Sequence, residues 1–483
     1  MLPPAFVDDA IEIVGAPFVR VDAASREAYG FDALKEGHLP DLVILAASTS
    51  EVAAIADTCN AARIPLVVRG GGTGYTGGAV PIQGGVVLSL ERMNRILEID
   101  EANLLAVVEP HVITGDLQDA VERVGLFYPP DPASLRESVI GGNVAECAGG
   151  PRAFKYGTTR NYVLGLEVVL PTGEVIRIGS KAVKNVVGYD LTRLIVGSEG
   201  TLAIVTQVVV RLVPRPPAQM TLRATFPGTD AAIEAVTAVL RSRVVPATLE
   251  LVDEECLDAV ARHLGTPLAP AGTGALVLIE VDGFPEAVAA EALRVEEACR
   301  AAGASEVLRA VSAEDREALW RVRRELSPAL KTISPVKLNN DVVVPKGRLP
   351  ELFEFVKQLK RDMHLRMPCF GHAGDGNIHV NIMVEPGDPD ELVRARAAVP
   401  MLLEAVVALE GSISGEHGIG FTKVPYVGIE LTADVIALMK RVKRAFDPNG
   451  ILNPGKIFPP DRTETRATGV GEAGPRPLNG PTA

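Results

Sequence analysis

Residues 65–81 read PLVVRGGGTGYTGGAVP, an apolar run closing on Arg69 and then a loop that carries Gly70, Gly71, Gly72, Gly74, Gly77 and Gly78. Glycine has no Cβ, so it accepts positive φ and lets backbone N–H groups close on a ligand, an arrangement suited to phosphate. The literal pattern G-x-G-x-x-G occurs as Gly72, Gly74 and Gly77. A Rossmann dinucleotide site, however, needs that pattern to open a helix whose N-terminus holds the pyrophosphate. Here the loop runs through Ala79-Val80-Pro81 into Gly84-Gly85-Val86-Val87-Leu88-Ser89-Leu90, which reads as a second strand. No Gly-Lys-Ser or Gly-Lys-Thr follows, so the Walker pattern is absent too. Strand, glycine loop, strand remains, with amides free to cradle a pyrophosphate. Taken alone, the loop is equally an ordinary glycine-rich connection.

Outward from the loop, 40–45 reads as a strand, and Ser50 with Glu51 starts a helix over 52–62, apolar on one face. This opening is an α/β layout. Beyond the loop, 86–90 and 104–109 read as strands and 114–124 has helical spacing closing at Gly125. Tyr128-Pro129-Pro130-Asp131-Pro132-Ala133-Ser134 is too proline-rich for either regular state and must be a rigid loop. A second glycine cluster, IGGNVAECAGGPRAFKYGTTRN, fills 140–161, and strands 163–170 and 174–178 flank the turn Pro171-Thr172-Gly173. Pro214, Pro216 and Pro217 mark a domain boundary. Past it, helices at 231–241 and 285–301 alternate with strands such as 275–281, predicting a cap built on an antiparallel sheet with helices on one side. From Pro459 the chain is rich in Thr, Gly, Pro and Arg without periodicity and reads as a disordered tail.

The chain has 483 residues, 47% apolar and 23% charged, enough for two or three domains with buried cores. Its 48 basic and 61 acidic residues leave a net charge of −13, which argues against nucleic acid or an anionic membrane surface as partner. An acidic substrate must therefore be met by a local basic group. Cys59, Cys147, Cys256, Cys299 and Cys369 lie far apart without C-x-x-C, which suggests neither a disulfide framework nor an iron–sulfur site and fits a reducing, cytoplasmic setting. The start, MLPPAFVDDAIEIVG, has no basic region ahead of an apolar core, so no secretory signal is expected. No uncharged apolar run reaches the roughly 18–20 residues of a membrane span.

Chemistry concentrates at 369–384, CFGHAGDGNIHVNIMV. His372 ends one strand, Gly374-Asp375-Gly376-Asn377 turns, and His379 opens the next. Along that strand His379, Asn381 and Met383 share one face and Val380, Ile382 and Val384 the other, so His379 points away from the apolar layer. The hairpin brings the two imidazoles together as a metal pair requires, and Asp375 in the turn is placed to orient them. Two histidines alone would also suit a polar edge hairpin. Residues 411–420, GSISGEHGIG, add Glu416 and His417 in a loop flanked by glycines, where burying them serves neither helix nor strand. Upstream, Leu319-Trp320-Arg321-Val322-Arg323-Arg324 puts Trp320, Arg323 and Arg324 close together on a helix.

The glycine loop, with Arg69, Thr73 and Thr76 in it, resembles the FAD pyrophosphate loop of the vanillyl-alcohol oxidase and p-cresol methylhydroxylase flavoproteins. Residues 369–384 with 411–420 resemble the C-terminal half of the FAD-linked D-2-hydroxy-acid dehydrogenases: the bacterial glycolate oxidase catalytic subunit, D-lactate dehydrogenases and D-2-hydroxyglutarate dehydrogenase. The resemblance spans about 40–458. It implies an α+β fold: a two-lobed PCMH-type FAD-binding domain (1–217), a cap with an antiparallel sheet covered by helices (218–410) and a segment returning to the FAD domain (411–458), with 459–483 as the tail. Members with covalent FAD often carry His where this chain has Thr73, so FAD is expected to be noncovalent.

By the same resemblance the cofactor contacts are Arg69, Gly70, Gly71, Gly72, Thr73, Gly74, Thr76, Gly77 and Gly78; Pro130, Asp131 and Ser134; Gly141, Gly142, Asn143, Ala145, Gly149, Gly150, Tyr156 and Gly157; Glu199, Gly200, Ile204 and Val205; and Asn453, near the isoalloxazine. Many relatives have Asn where this chain has Cys147. The residues matching His372, His379 and Glu416 bind a divalent metal in that family, often zinc, and the substrate hydroxyl is expected on that metal, with His372 and His379 as substrate contacts. The one matching His417 is the base. Arg323 falls where the family clamps the substrate carboxylate, a role suited to a permanently charged, bidentate group; Lys337 is a second substrate contact. The expected reaction is oxidation of a 2-hydroxy acid, glycolate or D-lactate first and a larger acid such as D-2-hydroxyglutarate second, with hydride passing to flavin N5. Electrons then leave to a separate acceptor: an iron–sulfur subunit, an electron-transfer flavoprotein or a quinone-linked partner, through which the chain would touch a membrane. A homodimer or hetero-oligomer suits this. Two competitors stand beside it. A non-catalytic FAD subunit would lack the His pair and the Glu-His loop, and a metal-dependent hydrolase would not need two flavin segments.

Overall fold

The computed structural model describes residues 2–460. The tail expected from Pro459 lies, from residue 461 on, outside the described residues.

The glycine loop sits at the end of a four-stranded sheet. Its strands are β1 (Val19–Arg20), β2 (Leu42–Leu45), β3 (Leu66–Arg69) and β4 (Val86–Ser89), in the order β1-β2-β4-β3. β2 and β3 both run parallel to β4. Parallel neighbours need a crossover, usually a helix; between β3 and β4 that crossover is the glycine loop itself. The helix Thr49–Ala62 packs Val52, Ile55, Ala56 and Cys59 into the core under this sheet. It starts one residue before the expected serine: Ser48, not Ser50, caps it by accepting from the Glu51 amide.

A second, all-antiparallel sheet follows, ordered β5-β6-β10-β8-β9. It comprises β5 (Ile96–Asp100), β6 (Leu105–Val108), β8 (Val163–Val169), β9 (Val175–Gly179) and β10 (Ile204–Arg211), with the small ribbon β7 (Leu126–Phe127) and β11 (Val213–Pro214) alongside. The second glycine cluster is partly helical, over Ile140–Glu146 and Ala153–Tyr156. The chain returns at the end: Leu452 bridges Leu66, whose amide and carbonyl bond Ile451 and Asn453.

The cap is one antiparallel seven-stranded sheet, β15-β12-β14-β13-β17-β18-β16. Its strands are β12 (Ala218–Phe226), β13 (Thr248–Asp253), β14 (Ala275–Gly283), β15 (Glu306–Arg309), β16 (Val336–Val343), β17 (Cys369–His372) and β18 (Asn377–Val384). One face carries Leu222, Leu249, Leu251, Val277, Ile279, Val380 and Ile382 and packs against the helices Thr229–Arg241, Pro285–Ala301, Leu349–Met363 and Pro389–Ala408. The expectation of helices on one side only is corrected here. Val252, Leu276, Leu278, Phe370 and Met383 point the other way and bury against Glu254–Leu264 and Ala313–Ile333. Those two helices cover only part of that face. The remainder turns a polar row, Glu250, Asp282, Asp341, His372 and His379, toward the first domain, where Tyr156 donates to Asp282 at 2.6 Å. Among the described residues no helix is long and apolar enough to cross a membrane.

Candidate active site

The register of the hairpin decides the site. Phe370 pairs with His379 and His372 with Asn377, so the two histidines lie diagonally on one face with ring centroids 5.5 Å apart. The flanking strands then give each histidine an acid as its cross-strand neighbour: Glu250 on β13 opposite His372, and Asp341 on β16 opposite His379. Glu250 Oε1 lies 2.5 Å from His372 Nδ1, and Asp341 Oδ1 lies 3.6 Å from His379 Nδ1. Asp375 does not orient either ring; its carboxylate caps the turn at the Asn377 amide, a correction that follows from its place at the hairpin tip.

Asp341, fully buried, also anchors the third element. Its Oδ2 accepts from the Glu416 and His417 amides at 2.8 and 2.9 Å, and its Oδ1 from Asn377 Nδ2 at 2.7 Å. Lys423 Nζ ties the same loop by donating to the Asp341 and Ile413 carbonyls. Glu199 holds the loop from the FAD-domain side, accepting from the Ile419 and Gly420 amides at 2.8 and 2.6 Å. Gly415 is required because a Cβ there would sit 2.2 Å from Asn377 Nδ2.

So held, Glu416 Oε1 lies 3.3 Å from His372 Nε2 and 3.6 Å from His379 Nε2. A tetrahedral ion with bonds of about 2.0–2.1 Å sets its ligand atoms about 3.3 Å apart. The donor set therefore fits a divalent cation. Both Nδ1 atoms face carboxylates, leaving both Nε2 atoms toward Glu416. Asp341, His379 and His417 also cluster closely enough to hold a metal, but the oxygens of Asp341 are already taken by two amides and an amide side chain. The His372, His379 and Glu416 set, whose facing atoms carry fewer protein contacts, is the better matched of the two.

Burial pushes His379 down to about 3 despite the Asp341 carboxylate, keeping it neutral as a ligand must be. For His372 burial acts downward too, but the carboxylates of Glu250 and Glu416 win and raise it. Burial would raise Glu416, yet His372 beside it holds it at about 2; Glu250, between His372 and Arg323, also stays at about 2. The His417 ring stacks on His379 at 5.2 Å, and Tyr75 from the glycine loop lies 5.3 Å from it.

Arg323 and Arg324 part company on the helix Ala313–Ile333. Arg324 turns outward to Glu317, whereas Arg323 is half-buried and turned inward, with Nε 2.5 Å from Glu250 Oε2 and its guanidinium over Phe370 at 4.9 Å. Lys337, four residues before Asp341 on β16, is on the same sheet face, and burial lowers it to about 8.

The glycine loop suits the cofactor expected of it. Among the described residues the amides of Gly70 through Thr76 donate to no protein acceptor, leaving a run of N–H groups for an anion. Gly70 and Gly71 press against Val139 and Glu137, where a Cβ would meet atoms at 2.7 and 2.6 Å. The loop thus abuts the N-terminal end of Ile140–Glu146, which carries Gly141, Gly142, Asn143 and Ala145. Several other expected cofactor contacts have side chains engaged within the protein. Asn143 donates to Thr114, Asp131 accepts from the Arg152 amide, Tyr156 binds Asp282, and Asn453 donates to the Gly78 and Glu199 carbonyls. Cys147 takes φ +56 at the end of its helix, a conformation asparagine tolerates better. A cavity of about 420 Å³ between the FAD lobe and the C-terminal segment is lined by Glu146, Cys147, Thr158 and Gly197 on one side and Ser414, Gly415 and Glu416 on the other.

Sequence reading missed Glu250 and Asp341. Each is an acid next to apolar residues in a strand, Leu249-Glu250-Leu251-Val252 and Asp341-Val342-Val343-Val344, and a carboxylate so placed must have a partner when buried.

Glycine cradle, two-sheet FAD lobe and polar-faced cap define a flavoprotein oxidoreductase, and comparison with known proteins shows the chain belongs to the FAD-linked oxidases. The family's C-terminal domain, described as "FAD linked oxidases, C-terminal domain", matches 215–457, and an "FAD binding domain" matches 40–179. The chain is 42% identical to the glycolate oxidase subunit GlcD of Bacillus subtilis (strain 168), over 94% of this chain and 97% of that protein. It is 37% identical to a D-lactate dehydrogenase of Anaerostipes hadrus, over 86% and 89% of the two chains. With a D-2-hydroxyglutarate dehydrogenase of Stutzerimonas stutzeri (strain A1501) it shares 36% identity, over 95% and 100%. The solved structure of p-cresol methylhydroxylase with substrate bound superposes with a TM-score of 0.78 at 20% identity, covering 94% of this chain and 96% of that one, which shows the shared PCMH-type fold.

Proposed function

We propose that the chain oxidises a small 2-hydroxy acid, glycolate or D-lactate first, to the 2-keto acid, using noncovalent FAD. The observation that carries this is the convergence of His372 Nε2 and His379 Nε2 on Glu416, with His417 stacked beside them and Arg323 tied to the same cluster through Glu250. Arg323 receives the substrate carboxylate on its Nη groups, its Nε being held by Glu250. His417 faces Asp341 through Nδ1 at 3.9 Å, which leaves Nε2 to take the hydroxyl proton. Asp341 stabilises the imidazolium so formed. The Phe370 ring and the half-buried Lys337 flank the acid. Bound FAD would supply the acceptor for the Cα hydride. A divalent cation, zinc among them, held by His372, His379 and Glu416 would polarise the substrate hydroxyl.

Within this reading the chain divides at 217, and 411–458 returns to the FAD lobe, supported by the pairing of Leu452 with Leu66. We place the protein in the cytoplasm, handing electrons to a separate iron–sulfur, flavoprotein or quinone-linked acceptor; all five cysteines are free, which supports both points. The test is anaerobic addition of glycolate, D-lactate, L-lactate and D-2-hydroxyglutarate to the FAD-loaded protein. Bleaching of the flavin by glycolate or D-lactate is expected, and bleaching by none of the four would overturn the reading.

A further inference from the structure

Glu250 is fully buried in β13 between two groups far from it in sequence. Its Oε1 meets His372 Nδ1 and its Oε2 meets Arg323 Nε, each at 2.5 Å. Arginine Nε–H is always a donor. His372 can offer an Nε2 lone pair only if its proton sits on Nδ1, which makes it a donor as well. Glu250 therefore faces two donors, and only a carboxylate has an acceptor at each end. We propose that Glu250 is a positioning residue that couples the substrate clamp to the metal ligand. A carboxylate can only accept, so with Oε2 serving Arg323 its Oε1 accepts from His372 Nδ1–H, and that holds His372 in the tautomer whose Nε2 is free toward Glu416. This rests on the reading above, in which His372 is a ligand and Arg323 the clamp.

Glutamine at 250 separates this role from packing, since it has the same size but one acceptor and one donor. Arg323 has no acceptor form, so the amide oxygen turns to it and the NH₂ turns to His372. His372 Nδ1 must then accept, the proton moves to Nε2, and the ligating lone pair is lost. Removing Arg323 as well lets the amide reverse and restores it.

The experiment measures zinc affinity of the full-length, FAD-loaded, demetallated chain by competition with a chromophoric chelator, with FAD content read from the same samples. Glu250→Gln is expected to bind zinc about 10–100-fold more weakly than wild type with FAD retained. In Glu250→Gln/Arg323→Met the affinity should return to that of Arg323→Met alone, a rescue that a packing role would not produce. Wild-type affinity in Glu250→Gln, or a loss that Arg323→Met leaves in place, would overturn the inference while the proposed function stands. Absence of zinc binding by wild type would overturn the metal reading and the inference with it. Should the glutamine variant not fold, imidazole ¹⁵N spectra of zinc-loaded wild type decide instead: the His372 proton is expected on Nδ1, and a proton on Nε2 would overturn the coupling.

Discussion

Replacing Asp341 by asparagine keeps the volume of a fully buried side chain and removes one acceptor and the charge. In the native site one oxygen serves the Glu416 and His417 amides and the other serves Asn377. With its oxygen toward the two amides, the new NH₂ would face Asn377 Nδ2, which cannot turn away because it also donates to the Val342 carbonyl at 2.9 Å. Turned round, it would face two amides instead. The less costly orientation still strands a buried donor and removes the anion that His379 and His417 face at 3.6 and 3.9 Å. An unsatisfied buried group costs about 1–3 kcal/mol and a hydrogen bond to a charged group contributes about 1.5–3 kcal/mol, so a loss of about 3 kcal/mol is expected. Burial would raise the Asp341 carboxyl, but His417, Lys423 and His379 hold it below the usual range. Its stabilisation is thus present above the unfolded pKa of about 3.9 and is lost only as pH falls through the lower folded value. At pH 7 the variant carries the full deficit. Trp320, the single tryptophan, lies in the cap, so its fluorescence in urea follows unfolding of this domain. Stopped-flow flavin reduction by substrate should slow about 10–100-fold, as expected when the partner of a ligand histidine is removed. An unchanged Trp320 transition together with a wild-type reduction rate would refute the reasoning.

Replacing His417 by alanine should leave FAD bound and lower its reduction by substrate at least 100-fold, within the roughly 10²–10⁴ contributed by a positioned base; normal reduction would remove His417 from the mechanism. Burial lowers Lys337 to about 8, so its positive charge is present below that pH and lost above it. The KM for the anionic acid should accordingly rise above pH 8 in wild type and stay flat there in Lys337→Met; parallel profiles would exclude Lys337 from substrate binding. Gly77 has φ +79, and a Cβ there would sit 2.0 Å from the Phe421 ring. Gly77→Ala should therefore disturb both the cradle and the loop that follows His417, and full FAD content in the purified variant would count against this.

The local features of the site were legible in the chain itself. Glycines at 70–78 announce a backbone that must approach a ligand, and the alternation of His379, Asn381 and Met383 with Val380, Ile382 and Val384 assigns the histidine to the polar face of its strand. The break at Pro214–Pro217 and the motif GSISGEHGIG are likewise visible without coordinates. These signals are carried by neighbouring residues, so the order of amino acids suffices to express them. What tertiary structure decided is which strands lie beside the hairpin. His372 and Glu250 are 122 residues apart, and nothing in either stretch names the other. The order β13-β17-β18-β16 follows from burying one apolar sheet face under four helices, and the same packing aligns Glu250 and Asp341 with the two histidines on the opposite face. Arg323 lies along the apolar stripe of its helix with Leu319, Val322, Leu326 and Leu330, and folding gives that position its partners, the Glu250 carboxylate and the Phe370 ring. The chain by itself determined the glycine loop and which side chains are candidates to hold a metal. Their aim and electrostatic setting were decided by the buried acids that only folding brings alongside, because an acid in an apolar core must find a cationic or N–H partner wherever the packing supplies one.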